Sequence, residues 1–437
     1  MLRLFSIILV FLFAASFATA QTTTVPDQAE QIKALLQRME ALEKEVAELK
    51  AERLTMASNV GPKPMVASEA APVVQPREAP APATPVAPVP QIHDHDSAMA
   101  PETARQLETH YPSLQIRGFG DADFGATDQK GTNSGFFLGQ FDLHLASALS
   151  QKVSYFGEIT VNAHPNEYTI EVERSIIRYD YDDYFKISFG RFHTPVGYWN
   201  TAFHHGAWLE TTVDRPFIVK VGGTFTPLHL VGGLVEGHIP SGALGLQYNV
   251  GIGNGRGSLI ARPGDSGDVN NNRAWVAKIF ARPTRFYGLE VGGSVYRDKI
   301  TQPGSPDFRE WISSAYVVWT KGAPELLAEF DNVNHHNIVT GQDANSDAFY
   351  VQLAYRLPWF EKNWKPYYRF EYTHMPLSEQ VFAYQPQVGS IVGLRYDISN
   401  FAAFKLEYRY LNSRAAKGLY PELPAVNGLF IQTAFTF

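Results

Sequence analysis

Apolar and polar residues alternate along much of the chain from Leu114 to its end. Between Phe404 and Tyr410 every second residue is apolar and the residues in between are charged. The stretches 140–145 and 368–372 alternate in the same way. A period of two places successive side chains on opposite faces of a β-strand, so one face meets an apolar surrounding and the other meets water. The pattern predicts a long series of amphipathic strands.

This alternation predicts sixteen strands, whose ends the sequence fixes to within a few residues. They lie at about 114–124, 136–148, 152–163, 169–181, 184–191, 217–235, 242–252, 273–283, 286–298, 309–320, 324–334, 347–357, 365–374, 389–399, 402–412 and 428–437. The odd-numbered connections between them average about 14 residues and the even-numbered ones about 4, and short turns opposite long loops are typical of a transmembrane β-barrel. In a soluble β-sandwich the connections are not expected to alternate between long and short in this way. The predicted fold is all-β and transmembrane: a sixteen-stranded antiparallel outer-membrane β-barrel over residues 114–437, preceded by an α-helical coiled coil.

Aromatic residues indicate how such a barrel would meet a bilayer. They make up 13% of the chain and gather near the predicted short turns, at Tyr179, Tyr181, Tyr184, Phe185, Trp359, Phe360, Trp364, Phe401 and Phe404. Aromatic rings favour the membrane interface, so these clusters predict a girdle. An even strand number returns both barrel ends to the short-turn side, which is the periplasm in bacterial outer membranes. Sixteen strands are also enough to enclose an aqueous lumen.

The first twenty residues predict a cleaved signal peptide. Arg3 is followed by the apolar stretch Leu4–Phe13 and then by Ala18-Thr19-Ala20, the order of a secretory signal with its cleavage site. The mature chain would then begin at Gln21 and leave the cytoplasm. The alternative is an N-terminal membrane anchor, although the apolar stretch is short for a bilayer span.

Residues 21–56 predict a periplasmic coiled coil. Apolar residues recur there at alternating intervals of three and four, which is a heptad seam, at Ile32, Leu35, Met39, Leu42, Val46 and Leu49. One helix cannot bury this seam alone, so partner helices are expected, and three heptads leave their number open. The alternative is an amphipathic helix packed on its own domain.

A Pro/Ala-rich linker is expected over residues 57–113. It carries ten prolines between residues 57 and 101 and is expected to be an extended, semi-rigid spacer that reaches up to about 140 Å. Near its end, His93-Asp94-His95-Asp96 offers side chains that bind divalent metals. In a tether such a tract is more often plain solubilising sequence.

The composition excludes several classes of function. The chain has 437 residues, no cysteine and a formal net charge of −7. The lack of cysteine excludes a disulfide framework, thiol catalysis and cysteine-ligated metal sites, and the acidic balance gives no electrostatic basis for binding nucleic acid. The spacing of residues indicates neither a Ser–His–acid constellation nor a phosphate-binding loop. We therefore expect no enzymatic activity, no cofactor and no metal site.

Three motifs resemble a known family. Gly190–Gly197, which reads Gly-Arg-Phe-His-Thr-Pro-Val-Gly, resembles the segment with which phosphate-selective porins close a strand and open their long third loop. Tyr248–Gly257 resembles that family's strand ending in an Asn-Gly loop, and Ala434–Phe437 is similar to the terminal aromatic by which outer-membrane proteins are recognised for barrel insertion. The resemblance implies a trimer of sixteen-stranded pores with the third loop folded inward. Related trimeric porins with an N-terminal coiled coil pass dicarboxylates.

The third long connection, expected over 192–216, is the candidate pore constriction. If it folds into the lumen, it narrows the pore and its charged and ring-bearing residues select solutes. The expected constriction residues are Arg191, His193, Tyr198, Trp199, His204, His205, Glu210, Asp214 and Arg215. The alternatives are an external, solvated loop and, for His204-His205, a metal pair or pH sensor. This connection departs from the family's dense cationic lining, since Arg215 is its only arginine or lysine.

Alternation places further charges on the lumen face of the predicted wall. The expected pore-wall residues are Arg369, Glu371, Arg395, Lys405, Glu407 and Arg409. Asp142, Glu158 and Glu329 are expected to share the lumen with them. Cations on a pore wall attract anions and raise their local concentration. The mixed signs allow two interpretations, a transverse field across the pore or mutually neutralising pairs.

These features together predict an outer-membrane porin for passive diffusion of small hydrophilic solutes. We expect a mild preference for anions of the phosphate or dicarboxylate class. The expected partners are outer-membrane lipid, two further copies of the chain in a homotrimer, and the solutes themselves. The alternative function is a structural tether that links the outer membrane to the cell wall through the coiled coil and linker.

Overall fold

The computed structural model describes Lys44 and residues 111–437, apart from 204–205, 221–224, 261–266, 321–322, 383–386 and 414–424. The chain divides into two units, 1–85 and 86–437. In the first unit only Lys44 is described, and it is helical and exposed. The predicted signal peptide, the coiled-coil seam and nearly all of the linker therefore lie outside the described residues.

Sixteen strands form one closed antiparallel barrel in which each strand pairs with its sequence neighbours. They are β1 Ser113–Thr127, β2 Gly135–Ala148, β3 Val153–His164, β4 Glu167–Asp180, β5 Lys186–His193, β6 His229–His238, β7 Leu246–Asn254, β8 Ala274–Ala281, β9 Leu289–Ile300, β10 Phe308–Thr320, β11 Glu325–Asn337, β12 Asp343–Ala354, β13 Trp364–His374, β14 Gln387–Ser399, β15 Ala402–Ser413 and β16 Val426–Thr436. Pairing of β1 with β16, with Phe119 opposite Thr436, closes the barrel. The predicted sixteen-stranded antiparallel barrel is confirmed.

The prediction for the sixth strand was wrong at its start. It was expected from residue 217, but β6 begins at His229, so the third connection on the long-loop side spans residues 194–228 rather than 192–216. Phe217–Val219 form a 3₁₀ turn. The apolar run there resembles a strand, but Ile218, Val219 and Phe225 are all buried together in one cluster. Their side chains do not alternate between two environments, as the side chains of a barrel strand would.

The contrast between long and short connections is weaker than expected. The longest connections, 194–228, 255–273, 375–386 and 414–425, do lie on the same side of the barrel. On that side, however, β3 and β4 are joined by residues 165–166 alone. Both strands run further than predicted and meet in a two-residue hairpin turn, which is the commonest way to join antiparallel strands.

Helical structure is sparse in residues 111–437 as far as they are described. It comprises one turn, α1 (Trp199–Ala202), and 3₁₀ turns at Phe217–Val219, Gly242–Leu244 and Phe360–Lys362. None of the described helical residues belongs to a helix that is long and apolar enough to cross a membrane.

The outer wall of the barrel is apolar. Large exposed side chains point outward along many strands, among them Phe136, Ile170, Phe189, Ile252, Leu353 and Val392. On β10 the exposed Trp311 and Trp319 stand eight positions apart, which is about 26 Å along a strand. Because barrel strands tilt by about 35–45°, this length corresponds to a height of about 20 Å, within the apolar band of roughly 25 Å that a barrel presents to a bilayer. An outer surface of this kind is suited to hydrocarbon rather than to water.

The interior contains an apolar cluster of its own. The third connection contributes Val196, Trp199, Ile218 and Phe225, and the inner wall contributes Ile312, Leu327, Val333 and Tyr350, among others. Part of the interior is therefore occupied by the third connection, and the expected aqueous lumen remains a prediction. The wall members of this cluster come mainly from β8–β12.

Candidate functional site

The third connection enters the barrel between two paired histidines. His193 ends β5 and His229 begins β6, and the two residues lie opposite each other. Both strands are short, so the chain leaves the wall partway along the barrel. Gly197 then has φ +66°, and its N–H donates to Ser294 Oγ at 3.1 Å. A Cβ at this position would lie 1.6 Å from Glu329 Oε1. Only glycine allows this conformation and this close approach to the wall.

Cations of the inner wall hold the carbonyl groups of the connection. Arg369, Arg395 and Lys405 each donate to backbone carbonyl oxygens of the segment 207–214, at 2.5–2.8 Å. All three side chains are buried. They come from β13, β14 and β15, whose residues at the positions on either side point outward. The backbone of the connection is thus fixed against three adjacent strands.

Carboxylates of the inner wall hold its donor groups in the same way. Glu325, Glu329, Glu371 and Glu407 accept hydrogen bonds from backbone N–H groups or a threonine hydroxyl of the connection, at 2.9–3.1 Å. All four carboxylates are buried. Buried backbone donors and acceptors need partners because an unpaired one costs about as much as a lost hydrogen bond. The wall supplies both kinds of partner to a segment without strand neighbours.

The six predicted pore-wall residues all lie on the inner wall, and five of them pair with charges of opposite sign. Arg369 bonds Glu371 at 2.6 Å, Arg395 bonds Asp397 at 2.7 Å, and Arg409 bonds Glu407. Lys405 donates to the connection and to Gln432 at 2.8 Å. Five of the six residues are buried, and the side chain of Arg409 is 12% exposed. Of the two interpretations of the mixed signs, these contacts favour neutralising pairs.

The predicted constriction residues occupy different environments. Tyr198 and Trp199 are buried against Tyr316 and Tyr350 of the wall. Their rings pack the connection onto the barrel instead of lining open space. His204 and His205 lie outside the described residues. The prediction that these residues form a constriction remains a prediction.

Charged residues stay accessible along the edge of the connection formed by residues 214–220. Asp214 and Arg215 are partly exposed, and the side chain of Lys220 is 53% exposed. Asp214 Oδ2 lies 3.1 Å from Arg409 Nη1 and 3.9 Å from Lys220 Nζ. This edge carries the charges of the connection that a solute in the lumen can reach.

Two carboxyl groups of the connection have displaced pKa values. Burial raises the pKa of Glu210 to about 7, against the opposing charges of Arg215 and Lys405. Burial also acts on Asp214, but the cations around it, first of all Arg409, outweigh burial and lower its pKa to about 2. Glu210 therefore changes charge near neutral pH, whereas Asp214 stays ionised down to strongly acidic conditions.

A second cluster of charges surrounds the two ends of the connection. Glu158 is bonded by His144 and Arg174, each at 2.6 Å, and His193 lies 3.7 Å from it. On the neighbouring strand His229 lies 2.8 Å from Glu173. Arg191, a predicted constriction residue, donates to the carbonyl oxygen of Glu173 at 3.0 Å and also lies near the Glu173 carboxylate. These contacts fix both points at which the connection leaves the wall.

A third cluster joins three long connections inside the barrel. Arg256, of the connection 255–273, bonds Glu310 at 2.9 Å and donates to the carbonyl oxygen of Phe225 in the third connection. His335 lies 3.1 Å from Glu310 and 2.9 Å from Glu379 of the connection 375–386. Burial opposes the charge of Arg256, but Glu310 outweighs it and raises the pKa of the guanidinium. Burial also opposes the charge of Glu379, but bonding to His335 outweighs it and lowers its pKa.

A cavity lies on the short-turn side of the third connection. The connection and the short-turn ends of β5–β9 line it, and its charged and imidazole side chains are Lys186, His193, Glu236, His238, Lys278, Arg282 and Glu290. Lys278 Nζ donates to the carbonyl oxygen of Gly197 at 2.7 Å, and Arg282 bonds Glu290 at 2.9 Å. The cavity is therefore polar and carries both signs of charge.

The sequence analysis missed several residues that hold the connection. Glu325 and Lys365 bond each other at 2.6 Å, and both bond Thr211. The alternation could have identified them, because Lys365 lies on the same face of its strand as Arg369, and Glu325 lies on the same face of its strand as Glu329. Among the described residues no group of histidines and carboxylates is arranged to hold a metal ion.

Comparisons with known proteins establish the fold. No family model and no curated protein matches the chain. An anion-selective porin from Comamonas acidovorans is similar at 11% identity and TM-score 0.56, covering 75% of this chain and all of that one. OmpT of Vibrio cholerae in a trimer form is similar at 16% identity and TM-score 0.51, covering 75% of this chain and 99% of that one. The outer membrane channel DcaP of Acinetobacter baumannii is similar at 13% identity and TM-score 0.52, covering 75% of this chain and 97% of that one. At these identities the similarity shows a porin-type barrel fold and nothing finer.

We predict that Gly197→Ala loosens the connection. The new Cβ has to displace Glu329, which should cost roughly 1–3 kcal/mol of overpacking, in addition to the roughly 1–2 kcal/mol of a left-handed conformation. Gly242→Ala is the matched control, because Gly242 has φ +56° but no atom within 4 Å of the point that an added methyl group would occupy. Urea unfolding in lipid vesicles measures both losses, and equal losses would contradict the close approach to Glu329.

We predict that the connection is held less firmly as pH rises through about 7. The folded pKa of Glu210 lies above its unfolded value, so the stability linked to its proton is complete below about pH 4 and is lost as pH rises through about 7. Glu210→Gln removes this titration. The fall in melting temperature between pH 5.5 and pH 8.5 should be smaller in the variant than in the wild type. An identical fall in both proteins would rule out a role for Glu210.

Proposed function

We propose that the chain is an outer-membrane porin through which small hydrophilic solutes diffuse passively. One observation carries the proposal: a closed barrel with an apolar outer wall holds the third connection across its interior through buried wall side chains. A bilayer accommodates such a wall only in a barrel without open edges. A connection fixed in this way sets the width of the passage without the need for a moving part. The proposal includes no enzymatic activity and no cofactor.

The proposed passage runs beside the connection and through the cavity on its short-turn side. Solutes would meet the accessible edge 214–220 and then the cavity lined by Lys186, Lys278 and Arg282 together with Glu236 and Glu290. Three cations against two carboxylates leave a small positive excess, which attracts anions weakly. Other cations of the wall, such as Arg369, already donate hydrogen bonds to the connection. A mild preference for anions of the phosphate or dicarboxylate class follows, in keeping with the name of the Comamonas acidovorans relative.

We further propose that the mature protein is a homotrimer with a periplasmic helical bundle. The heptad seam of residues 21–56 requires partner helices, and the Vibrio cholerae protein of similar fold is described in a trimer form. The same sequence features support a second candidate function. A bundle on a spacer of up to about 140 Å could tether the outer membrane to the cell wall, and this role is compatible with a conducting barrel.

We predict that deletion of residues 198–211 raises single-channel conductance severalfold. The deletion removes α1 and most of the carbonyl groups that Arg395 and Lys405 hold, so the passage widens. In a KCl gradient the wild type should show a reversal potential of the sign expected for anions. That potential should shrink in 1 M salt, where screening shortens to roughly 3 Å.

Deletion of residues 303–306 between β9 and β10, which are exposed except for the half-buried Ser305, is the control, and it should leave the conductance unchanged. A wild-type protein that inserts in planar bilayers but does not conduct would contradict the porin proposal and leave the tether. Conductance that is unaffected by the deletion of 198–211 would show that the third connection does not limit the passage.

A further inference from the structure

Four basic side chains lie together on the outer wall of β9–β11, at the long-loop end. Lys299, Arg309 and His336 are directly opposite one another on three adjacent strands, so they form one row. Arg297 lies one row further down the wall, opposite Trp311. The residues next to them in sequence, such as Asp298 and Glu310, are buried on the inner side. These four residues are called the basic outer patch below.

The patch stands at the height expected for lipid headgroups. Trp311 and Trp319 mark the two edges of the apolar band on β10, and Arg309 is two positions beyond Trp311. Two positions along a strand correspond to roughly 7 Å, or about 5 Å in height for a tilted strand, which places Arg309 beyond Trp311 towards the headgroups. The Arg297 side chain lies over the Trp311 ring, 5.9 Å from its centroid, and Trp275 packs edge-on against the same ring. Tryptophans are enriched at this interface.

Two of the four basic side chains have no carboxylate partner. Lys299 bonds Asp307 at 2.6 Å, and His336 bonds Asp343 at 3.1 Å. In the described part of the chain no carboxylate lies within ion-pair distance of Arg297 or Arg309. Elsewhere in the barrel the arginines are largely neutralised, as the pairs of Arg369 and Arg256 illustrate. Two arginines without a carboxylate partner beside an apolar wall indicate a binding site for an anionic ligand.

We propose that the basic outer patch binds the phosphate groups of a phosphorylated glycolipid of the outer leaflet, of the lipopolysaccharide class. An arginine guanidinium matches phosphate through two parallel hydrogen bonds. Neighbouring strands stand about 4.8 Å apart, so Arg297 and Arg309 can contact one phosphate or two adjacent ones. The exposed Val295 and Ile279 below the patch offer a surface for acyl chains. The inference rests on the proposed function for the orientation of the barrel, with the long-loop end outside.

The test is binding of bis-phosphorylated lipid A to the purified, detergent-solubilised protein, measured by native mass spectrometry. The variant Arg297→Gln/Arg309→Gln should bind lipid A roughly tenfold more weakly than the wild type. Arg285→Gln is the matched control. Arg285 is an exposed cation at the opposite end of the same strands, 5.8 Å from the Phe286 ring centroid, and its loss should leave binding unchanged. Dephosphorylated lipid A should bind weakly to all three proteins.

Three results would overturn the proposal: equal binding by the double variant and the wild type, an equal loss in Arg285→Gln, or binding of phosphatidylglycerol as tight as that of lipid A. The last result would make the patch a general site for anionic lipid. Single-channel conductance separates this inference from the porin proposal, because both arginines face away from the passage. The double variant should conduct like the wild type. A wild type that does not conduct would refute the porin proposal. The lipid A measurement would still show whether the basic outer patch binds phosphate groups.

Discussion

The hydrogen-bonding demand of a backbone segment inside a barrel determines the rest of this structure. The described residues between 194 and 228 lie outside the sheet, so their N–H and C=O groups have no strand partners, and many of these residues are buried. Side chains of the wall replace those partners. Lys405 and Arg395 hold carbonyl oxygens, and Glu407 and Glu371 hold N–H groups. A wall that performs this task has to carry buried charges of both signs, and the charges have to be paired with each other.

Because the charges of the inner wall are paired, they contribute less to the attraction of ions than unpaired charges would. A charge that is buried and bonded to the connection attracts a passing ion only weakly, since its field is largely neutralised by its partner. Selectivity would then depend on the accessible edge 214–220 and on the polar cavity at the short-turn side. The same bonds make the connection rigid, which suits a passage of fixed width. Arg297 and Arg309 on the outer wall differ from interior arginines such as Arg369 and Arg256, because among the described residues no carboxylate pairs with them.

The fold could be predicted from sequence much further than the site. Period-two alternation located all sixteen strands because each barrel strand has one apolar and one polar face. It failed at Phe217–Val219, where an apolar run is buried inside the barrel and no longer alternates. Alternation also placed Arg369 and Lys405 on the inner wall, but not their partners. Lys405 bonds Ala207, almost two hundred positions away, and no local pattern encodes which wall residues a folded-in connection meets.

The most direct test of the central claim is a cross-link between the connection and the far wall. The chain has no cysteine, so Val213→Cys and Gln432→Cys supply the only two thiols, at a point where the Gln432 side chain reaches the Val213 carbonyl oxygen at 3.3 Å. A short bis-methanethiosulfonate reagent should join them in the folded barrel, whereas a pair of Val213→Cys with Gly135→Cys, on the long-loop rim, should stay unlinked. If both thiols of the first pair react singly but never with each other, the connection does not lie across the barrel.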